Sequence, residues 1–286
     1  MTAAGRSTST IPSAIKDEGQ SFWNANPCGG DWHSYAAFME WTQRTEPYAF
    51  ELLARREWKG VRVLDVGCGQ GTILNFLPTL GARVVGIDRS LVSMQKSAHG
   101  ARELGHEGAV HLAIADAETL PFPDEAFERV VSFGVLHHTP DTAGGIREIH
   151  RVLKAGGSAH LMLYRRGNPK WWATQCSRTI ARAVEAAAGR TGAVTDALRA
   201  RQDPGSARGT ALLELFGVPV LKAFTNREAR ALFADFARVE ISNHQPGFRR
   251  LMDIVPVLAP LRAPLAWVDR VTRVRWGFYQ VIEAFK

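Results

Sequence analysis

The sequence predicts an α/β protein built on a doubly wound parallel sheet. Three observations predict it. Short, β-branched apolar runs recur between residues 61 and 164; helical stretches separate them; and a glycine-rich turn follows the first run. The runs are VRVLDV (61–66), ARVVGI (82–87), AVHLAIA (109–115), ERVVSFGV (128–135) and SAHLMLY (158–164). Continuous apolar runs of this length suit strands buried on both faces. Between them, Ser90 reads as an N-cap, Leu91, Met94, Ala98 and Ala101 follow at helical spacing, and Gly105 stops the helix. Ile146, Ile149, Val152 and Leu153 mark a second helix ended at Gly156-Gly157. Strand–helix alternation implies a parallel sheet covered on both faces.

Outside this stretch the rhythm changes. The first 60 residues carry Trp23, Trp32, Trp41 and Trp58 and read as helical after Ser34. Residues 165–211 read as Arg- and Ala-rich helix and loop. Thr225 to Glu228 is a capping-box sequence opening a helix through Phe233. Phe236 to Ser242 and Trp276 to Phe285 read as strands, with a proline-broken apolar stretch, 244–275, between them.

The chain has 286 residues, enough to bury a large core without a disulfide or metal staple. Cys28, Cys68 and Cys176 are odd in number and widely spaced, which argues against a zinc site and for a reducing cytosol. The polar start MTAAGRSTST lacks the apolar run of a signal peptide. The apolar window Leu251 to Val268 is interrupted by Asp253, Arg262 and three prolines, so no membrane span is expected. A cytoplasmic protein follows as an expectation. The net charge is −1 over residues 1–60, −2 over 61–164 and +10 over 165–286.

The strongest functional signal is the run Val63 to Thr72, VLDVGCGQGT, where a strand enters a glycine-rich turn. A helix is expected to follow. Glycine permits the tight turn and lets a ligand approach main-chain N–H groups. Asp88 lies twenty-one residues past Gly67, at the end of the second strand, where a carboxylate can accept both hydroxyls of an adenosine ribose. Asp116 and Ala117 lie 28 residues further, at the end of the third strand. There a carboxylate can accept an adenine amino hydrogen and the Ala117 N–H can face a ring nitrogen. Open α/β sheets bind ligands at such strand ends. The glycines run GxGxG, not the GxGxxG of dinucleotide sites, and Asp65 precedes them. A carboxylate there suits an ammonium-bearing ligand and would repel a pyrophosphate, which disfavours a nicotinamide-dependent oxidoreductase.

The motifs DVGCGQGT, GIDRS, ADAETLPFPDEAFERVVSFGVLHH and EIHRVLKAGG together resemble class I S-adenosylmethionine-dependent methyltransferases, in the group of quinone-biosynthesis and natural-product small-molecule enzymes. The resemblance covers residues 61–164; Ala155 stands where that group usually has a proline. It implies a Rossmann-like seven-stranded sheet, parallel except for an antiparallel last strand, with 165–222 and 244–275 as helical cap insertions. It also implies S-adenosyl-L-methionine as cofactor. Asp65 and the loop of Gly67, Cys68, Gly69 and Gly71 would hold the methionine end. Asp88, with Arg89 beside it, would take the ribose, Asp116 and Ala117 the adenine, and Phe133-Gly134 would pass near the sulfonium. The domain reading is then 1–59 as a helical segment covering the cofactor through residues such as Trp23, 60–164 as the cofactor-binding core, 165–222 as a helical basic acceptor cap, and 223–286 as the end of the sheet with an apolar and basic lid at 244–275.

A sulfonium methyl is already activated, so the protein supplies proximity, orientation and exclusion of water. A general base is needed only for an acceptor that holds its proton. His138 and His137, directly after the fourth strand, are the candidates, and the alternative for each is a role in shaping the loop; His33 and His244 are weaker ones. Trp171-Trp172 can stack on the acceptor or serve as insertion core. No metal site is expected. The acceptor is expected to be a small molecule, a secondary metabolite or quinone- or lipid-like compound with an acidic group, because the basic residues crowd into the two insertions. An anionic membrane surface is the other reading of that charge, and a solvated surface the plain one. Nucleic acid is disfavoured: Gly134 to His138 lacks the Asn-Pro-Pro-aromatic motif of base methylation. An RNA methyltransferase and a cofactor-binding module without turnover remain the alternatives.

Overall fold

The computed structural model describes residues 13–200, 217–244 and 262–286. Seven strands form one sheet: β1 (Arg62–Val66), β2 (Arg83–Asp88), β3 (Val110–Ile114), β4 (Phe127–Phe133), β5 (Leu153–Tyr164), β6 (Arg238–His244) and β7 (Tyr279–Phe285). Their order across the sheet is β3-β2-β1-β4-β5-β7-β6. The first five run parallel, and β7 is antiparallel to both neighbours. The chain order reverses between β1 and β4, so the crevice at their carboxyl ends is the expected ligand position.

Helices cover both faces. They are α1 (Ser13–Ala25), α2 (Tyr35–Thr45), α3 (Pro47–Ala54), α4 (Leu91–Glu103), α5 (Thr142–Val152), α6 (Pro169–Ala187), α7 (Ala193–Ala200), α8 (Asn226–Leu232) and α9 (Arg262–Trp276). Side chains of alternate strand residues feed two cores. One joins Val63, Val84 and Val131 to the aromatics of α2 and α3; the other joins Leu64, Val130 and Leu161 to Ile146 and Ile149 of α5 and Phe233.

Local signals behave as residue chemistry dictates. Ser90 caps α4 by accepting the Ser93 N–H, and Thr225 and Glu228 close a full capping box on α8. Four expectations need correction. No α-helix follows the glycine turn; residues 70–76 form successive turns ending in a 3-10 element, Leu77–Leu80, because Pro78 interrupts the ladder and Gly81 takes a left-handed conformation. β5 begins at Leu153 and passes through Gly156-Gly157, with its pairing to β4 shifting register there. β6 starts two residues later than expected, after turns and bends over 233–237, and β7 three residues later because α9 runs through Trp276. Helix α1 begins ahead of Ser34, the point from which the N-terminal segment reads as helical; it buries only Phe22, too little for a periodic signal. Most of the proposed lid, including Arg249, Arg250, Leu251, Ile254, Val255, Leu258 and Leu261, lies outside the described residues.

Candidate active site

At the carboxyl end of β1 the chain turns through glycines that no other residue replaces without strain. Gly67, Gly69 and Gly71 all have positive φ. A Cβ on Gly67 would meet Val135 at 2.3 Å, and one on Gly71 would meet the Ser97 hydroxyl at 2.4 Å. Gly69 differs: a Cβ there would meet nothing within 4 Å, so its backbone borders open space. The N–H groups of Gly67 and Cys68 donate to the Ile87 carbonyl, which pins the turn to β2. The Cys68 thiol is buried against the Met94 sulfur at 3.5 Å.

Two carboxylates converge on this turn. Asp88 accepts the Gly69 N–H at 2.9 Å with one oxygen and the Ser90 N–H at 2.7 Å with the other. Burial pushes its pKa up, and these backbone donors work against the shift. Asp65 is 3% exposed, and its Oδ2 has no hydrogen-bond partner. Burial first, then the nearby Asp88 charge, push its pKa up to about 8. A buried carboxyl without a counter-charge is costly. An ammonium group arriving at Asp65 would remove that cost. The orphaned oxygen and the open space beside Gly69 both fit a cationic amino-acid end of a ligand.

Asp116 follows β3 and is already engaged. Its Oδ2 accepts Lys16 Nζ of α1 at 2.8 Å, and its Oδ1 accepts the Glu118 N–H. Lys16 also pairs with Glu118. Burial opposes ionisation of Asp116, but the Lys16 hydrogen bond, the Glu118 N–H and the charges of Lys16 and Arg89 together outweigh it and lower the pKa. Ala117 beside it is buried. Arg89 faces α1, 3.5 Å from Gln20 and 3.6 Å from Asp17. Helix α1 thus crosses the ends of β2 and β3. Gln70 holds the chain after α1 by donating to the Cys28 and Gly30 carbonyls.

The histidines separate. His137 is fully buried, its ring 3.8 Å from that of Tyr164, and neither ring nitrogen has a well-formed hydrogen bond. Burial, then the adjacent His138, push its pKa well below the ordinary imidazole value. It is a neutral packing element. His138 is half-buried; its Nδ1 lies 2.9 Å from the Val220 carbonyl, and Trp23 meets it edge-on at 5.3 Å. A carbonyl accepts only from N–H, so the proton sits on Nδ1 and Nε2 is the basic nitrogen. Gly134, with positive φ, and half-buried Phe133 precede the pair. Of the weaker candidates, His33 is exposed, and His244 bonds Ser242 at 2.9 Å. Trp171 is buried while Trp172 is exposed.

Residues from distant parts of the chain complete this end. Lys222 donates its N–H to the His137 carbonyl and its ammonium to the Pro140 carbonyl. Phe22, Trp23, Val218 and Leu221 form a small apolar cluster. Sequence reasoning missed Lys16, Gln20, Val220 and Lys222. Their contacts span 69 to 100 positions, and no local pattern reports them.

Residues 64–161 match the family described as "Methyltransferase domain". Residues 64–161 thus form a methyltransferase domain of the class I S-adenosylmethionine-dependent kind. The cofactor of this domain is S-adenosylmethionine, and the open turn with its unpaired Asp65 fits it. Among curated relatives, 2-methyl-6-phytyl-1,4-hydroquinone methyltransferase 1 of Oryza sativa is 37% identical over 43% of this chain and 36% of its own. The 27-O-demethylrifamycin SV methyltransferase of Amycolatopsis mediterranei is 33% identical over 50% of this chain and 53% of its own. The chain therefore spans about half, or less, of the length of these relatives. A solved S-adenosylmethionine-dependent methyltransferase from Mesorhizobium loti superposes with a TM-score of 0.52 at 19% identity, covering 83% of this chain and 97% of its own. The cyclase SpnF superposes with 0.51 at 22%, covering 95% and 92%. The methyltransferase fold is thus shared with a protein named for another reaction. Among the described residues, no three His, Cys, Asp or Glu side chains are placed to hold a metal, and no helix is long and apolar enough to cross a membrane.

Proposed function

We propose that the protein transfers the methyl group of S-adenosylmethionine to a small-molecule acceptor. The buried, unpaired Asp65 at the end of β1 carries the reading. Its Oδ2 has no partner, and a methionine ammonium would supply one and favour the ionised form. Asp88 is the ribose acceptor in this scheme: backbone N–H groups fix its two oxygens at the end of β2, and a carboxylate has about four acceptor positions to share with hydroxyls. Asp116 and Ala117 would face the adenine, Phe133 and Gly134 would border the sulfonium, and α1 with Trp23 would cover the cofactor. When bound, the cofactor supplies an electrophilic methyl.

The acceptor half is built around His138. Its Nδ1 proton held by Val220 leaves Nε2 to remove a hydroxyl proton as the acceptor oxygen attacks. The Trp23, Val218 and Leu221 cluster excludes water and offers an apolar wall. The relatives named above act on a phytyl hydroquinone and a rifamycin. Together with the apolar wall and the basic insertions 165–222 and 244–275, they support an acceptor of quinone-, lipid- or natural-product type bearing an acidic group. The test is calorimetry with S-adenosylmethionine and with NADH, followed by incubation of a metabolite extract with methyl-labelled cofactor. Binding of the first nucleotide only, and label in a small apolar hydroxyl compound, is the expected result. Binding without any labelled product would make the protein a module without turnover.

A further inference from the structure

Helix α9 is amphipathic in an unusual sense: its outward face is also apolar. Trp267, Val271 and Val274 are 63%, 53% and 73% exposed. Their spacing of four and three residues places them on one stripe of the helix. At 100° per residue, Arg270 and Arg275 flank that stripe on either side, and both are exposed. Val268 and Thr272, on the inner side, are half-buried. The helix is firmly placed: Asn243 donates to the Val274 carbonyl at 3.0 Å, and Arg165 to the Arg275 carbonyl at 2.5 Å.

Its position matters as much as its pattern. β7 starts with Tyr279 paired to Tyr164, the last residue of β5. α9, which ends just before β7, therefore lies at the carboxyl end of the sheet. Tyr164 is 5.7 Å from His138 at that same end. α6 leaves β5 there too, with Lys170 lying 4.0 Å over the Phe278 ring, and it exposes Trp172, Ile180 and Val184. Residues 165–286 hold the net charge of +10, while the rest of the chain is slightly acidic.

We propose that the outer face of α9 docks on an anionic lipid surface. The charge complementarity selects this occupant. An apolar stripe with tryptophan, edged by arginines, lies in the plane of a bilayer interface, apolar side chains in the acyl boundary and guanidinium groups at the headgroups. Docking there sets the His138 end of the sheet toward the membrane, where an apolar acceptor is concentrated. The docking itself does not depend on the proposed methyl transfer.

The full chain is sedimented with phosphatidylcholine vesicles, with and without phosphatidylserine. Binding to the anionic vesicles alone, weakened by salt, is expected. Two variants are compared, Trp267→Ser/Val271→Ser/Val274→Ser and Arg270→Gln/Arg275→Gln. At about 1 kcal/mol per arginine near an anionic surface, the second loses roughly 30-fold in partitioning. The first loses about a hundredfold by apolar area. Unchanged circular dichroism and cofactor affinity show that the variants fold. Absence of wild-type binding to anionic vesicles overturns the proposal, as does binding that both variants retain. A wild-type dimer in sedimentation velocity that the stripe variant converts to monomer also overturns it, because the face would then join two copies. Activity on a dispersed acceptor is measured separately; its loss in the wild type would count against methyl transfer and leave docking standing.

Discussion

The two halves of the carboxyl end of the sheet are built by different rules. At β1 to β3 the proposed cofactor-binding groups sit within a few residues of strand ends: Asp65 inside β1, Asp88 at the end of β2, Asp116 two residues past β3. Sheet geometry alone brings them together. At β4 and β5 the arrangement depends on remote chain. His138 takes its orientation from Val220, 82 residues away, and its aromatic neighbour Trp23 comes from α1. The first half carries carboxylates held by backbone N–H groups and Lys16, with Asp65 Oδ2 left unpartnered; the second carries imidazole, aromatics and the edge of a strongly basic region. A binding site for a fixed cofactor needs only the first kind of construction. An acceptor site, which must fit one molecule among many, is assembled from insertions that loops and caps can vary.

The sharpest test of this contrast lies in the adjacent histidines. His138→Ala should lower kcat by about 10²–10⁴ for a hydroxyl acceptor, with cofactor affinity kept. His137→Phe should hold kcat within about threefold, because a phenyl ring refills the space beside Tyr164 and needs no hydrogen bond. Steady-state kinetics over pH reads both. If His137→Phe abolishes turnover while His138→Ala spares it, the roles given to the two rings are wrong.

The cofactor half breaks at its carboxylates. Asp65→Asn should weaken S-adenosylmethionine by about 10²–10³, the scale for removing one partner of a buried ion pair. Asp88→Ala should cost one to two decades, from charge-assisted hydrogen bonds of about 1.5–3 kcal/mol. Calorimetry decides. An affinity for Asp65→Asn equal to wild type would leave the buried carboxyl unexplained and remove the observation that supports the function.

Why one half was legible and the other not has a physical cause. A strand buried on both faces reads as a short apolar run, and a turn with positive φ demands glycine. Both constraints act within five or six residues, so they leave a mark in sequence. The Leu77–Leu80 turn shows the limit: Pro78 and Gly81 were present to read, yet the expected helix overrode them. The start of α1 left a weak mark because the helix buries only Phe22, while its polar face makes the long-range contacts through Lys16 and Gln20. The separation of His137 from His138 was beyond sequence altogether. It follows from which ring the β4 exit turns toward Tyr164.

Protonation offers a further test within the cofactor half. The folded-state pKa of Asp65 is raised from 3.8 to about 8, so between those values the ligand-free native state holds a proton that the unfolded chain has released. Stability from this group is therefore lost as pH rises toward 8. Asp65→Asn, which cannot ionise, should flatten that decline and raise Tm above pH 8. Cofactor binding to wild type should release a proton below pH 8, and affinity should climb by at most one decade per pH unit. Calorimetry in buffers of different ionisation enthalpy measures the proton. No proton release would show that Asp65 is already ionised before the cofactor arrives.

The smallest expected effect concerns the seam between the halves. Lys16 ties α1 to Asp116 and Glu118, with about a fifth of its side chain exposed. Burial opposes its charge, but the two carboxylates outweigh burial and raise its pKa. Lys16→Met does two opposing things. It frees the Asp116 oxygen for the adenine amino group, and it loosens the helix that covers the cofactor. A partly exposed ion pair is worth about 0.2–1 kcal/mol, so neither effect exceeds about fivefold in Kd. Their kinetic signatures differ, because a freed Asp116 acts on the bound state while a loosened α1 acts on escape. Contacts from Gln20 to Arg89 and from Asn24 to Ser90 also hold α1, so its release should be partial. Stopped-flow should therefore show dissociation accelerated by about two- to fivefold, with a compensating rise in association and Kd almost unmoved. A tenfold or greater loss of affinity, carried by association alone, would instead make Lys16 a direct cofactor ligand and move the boundary between the two halves onto α1.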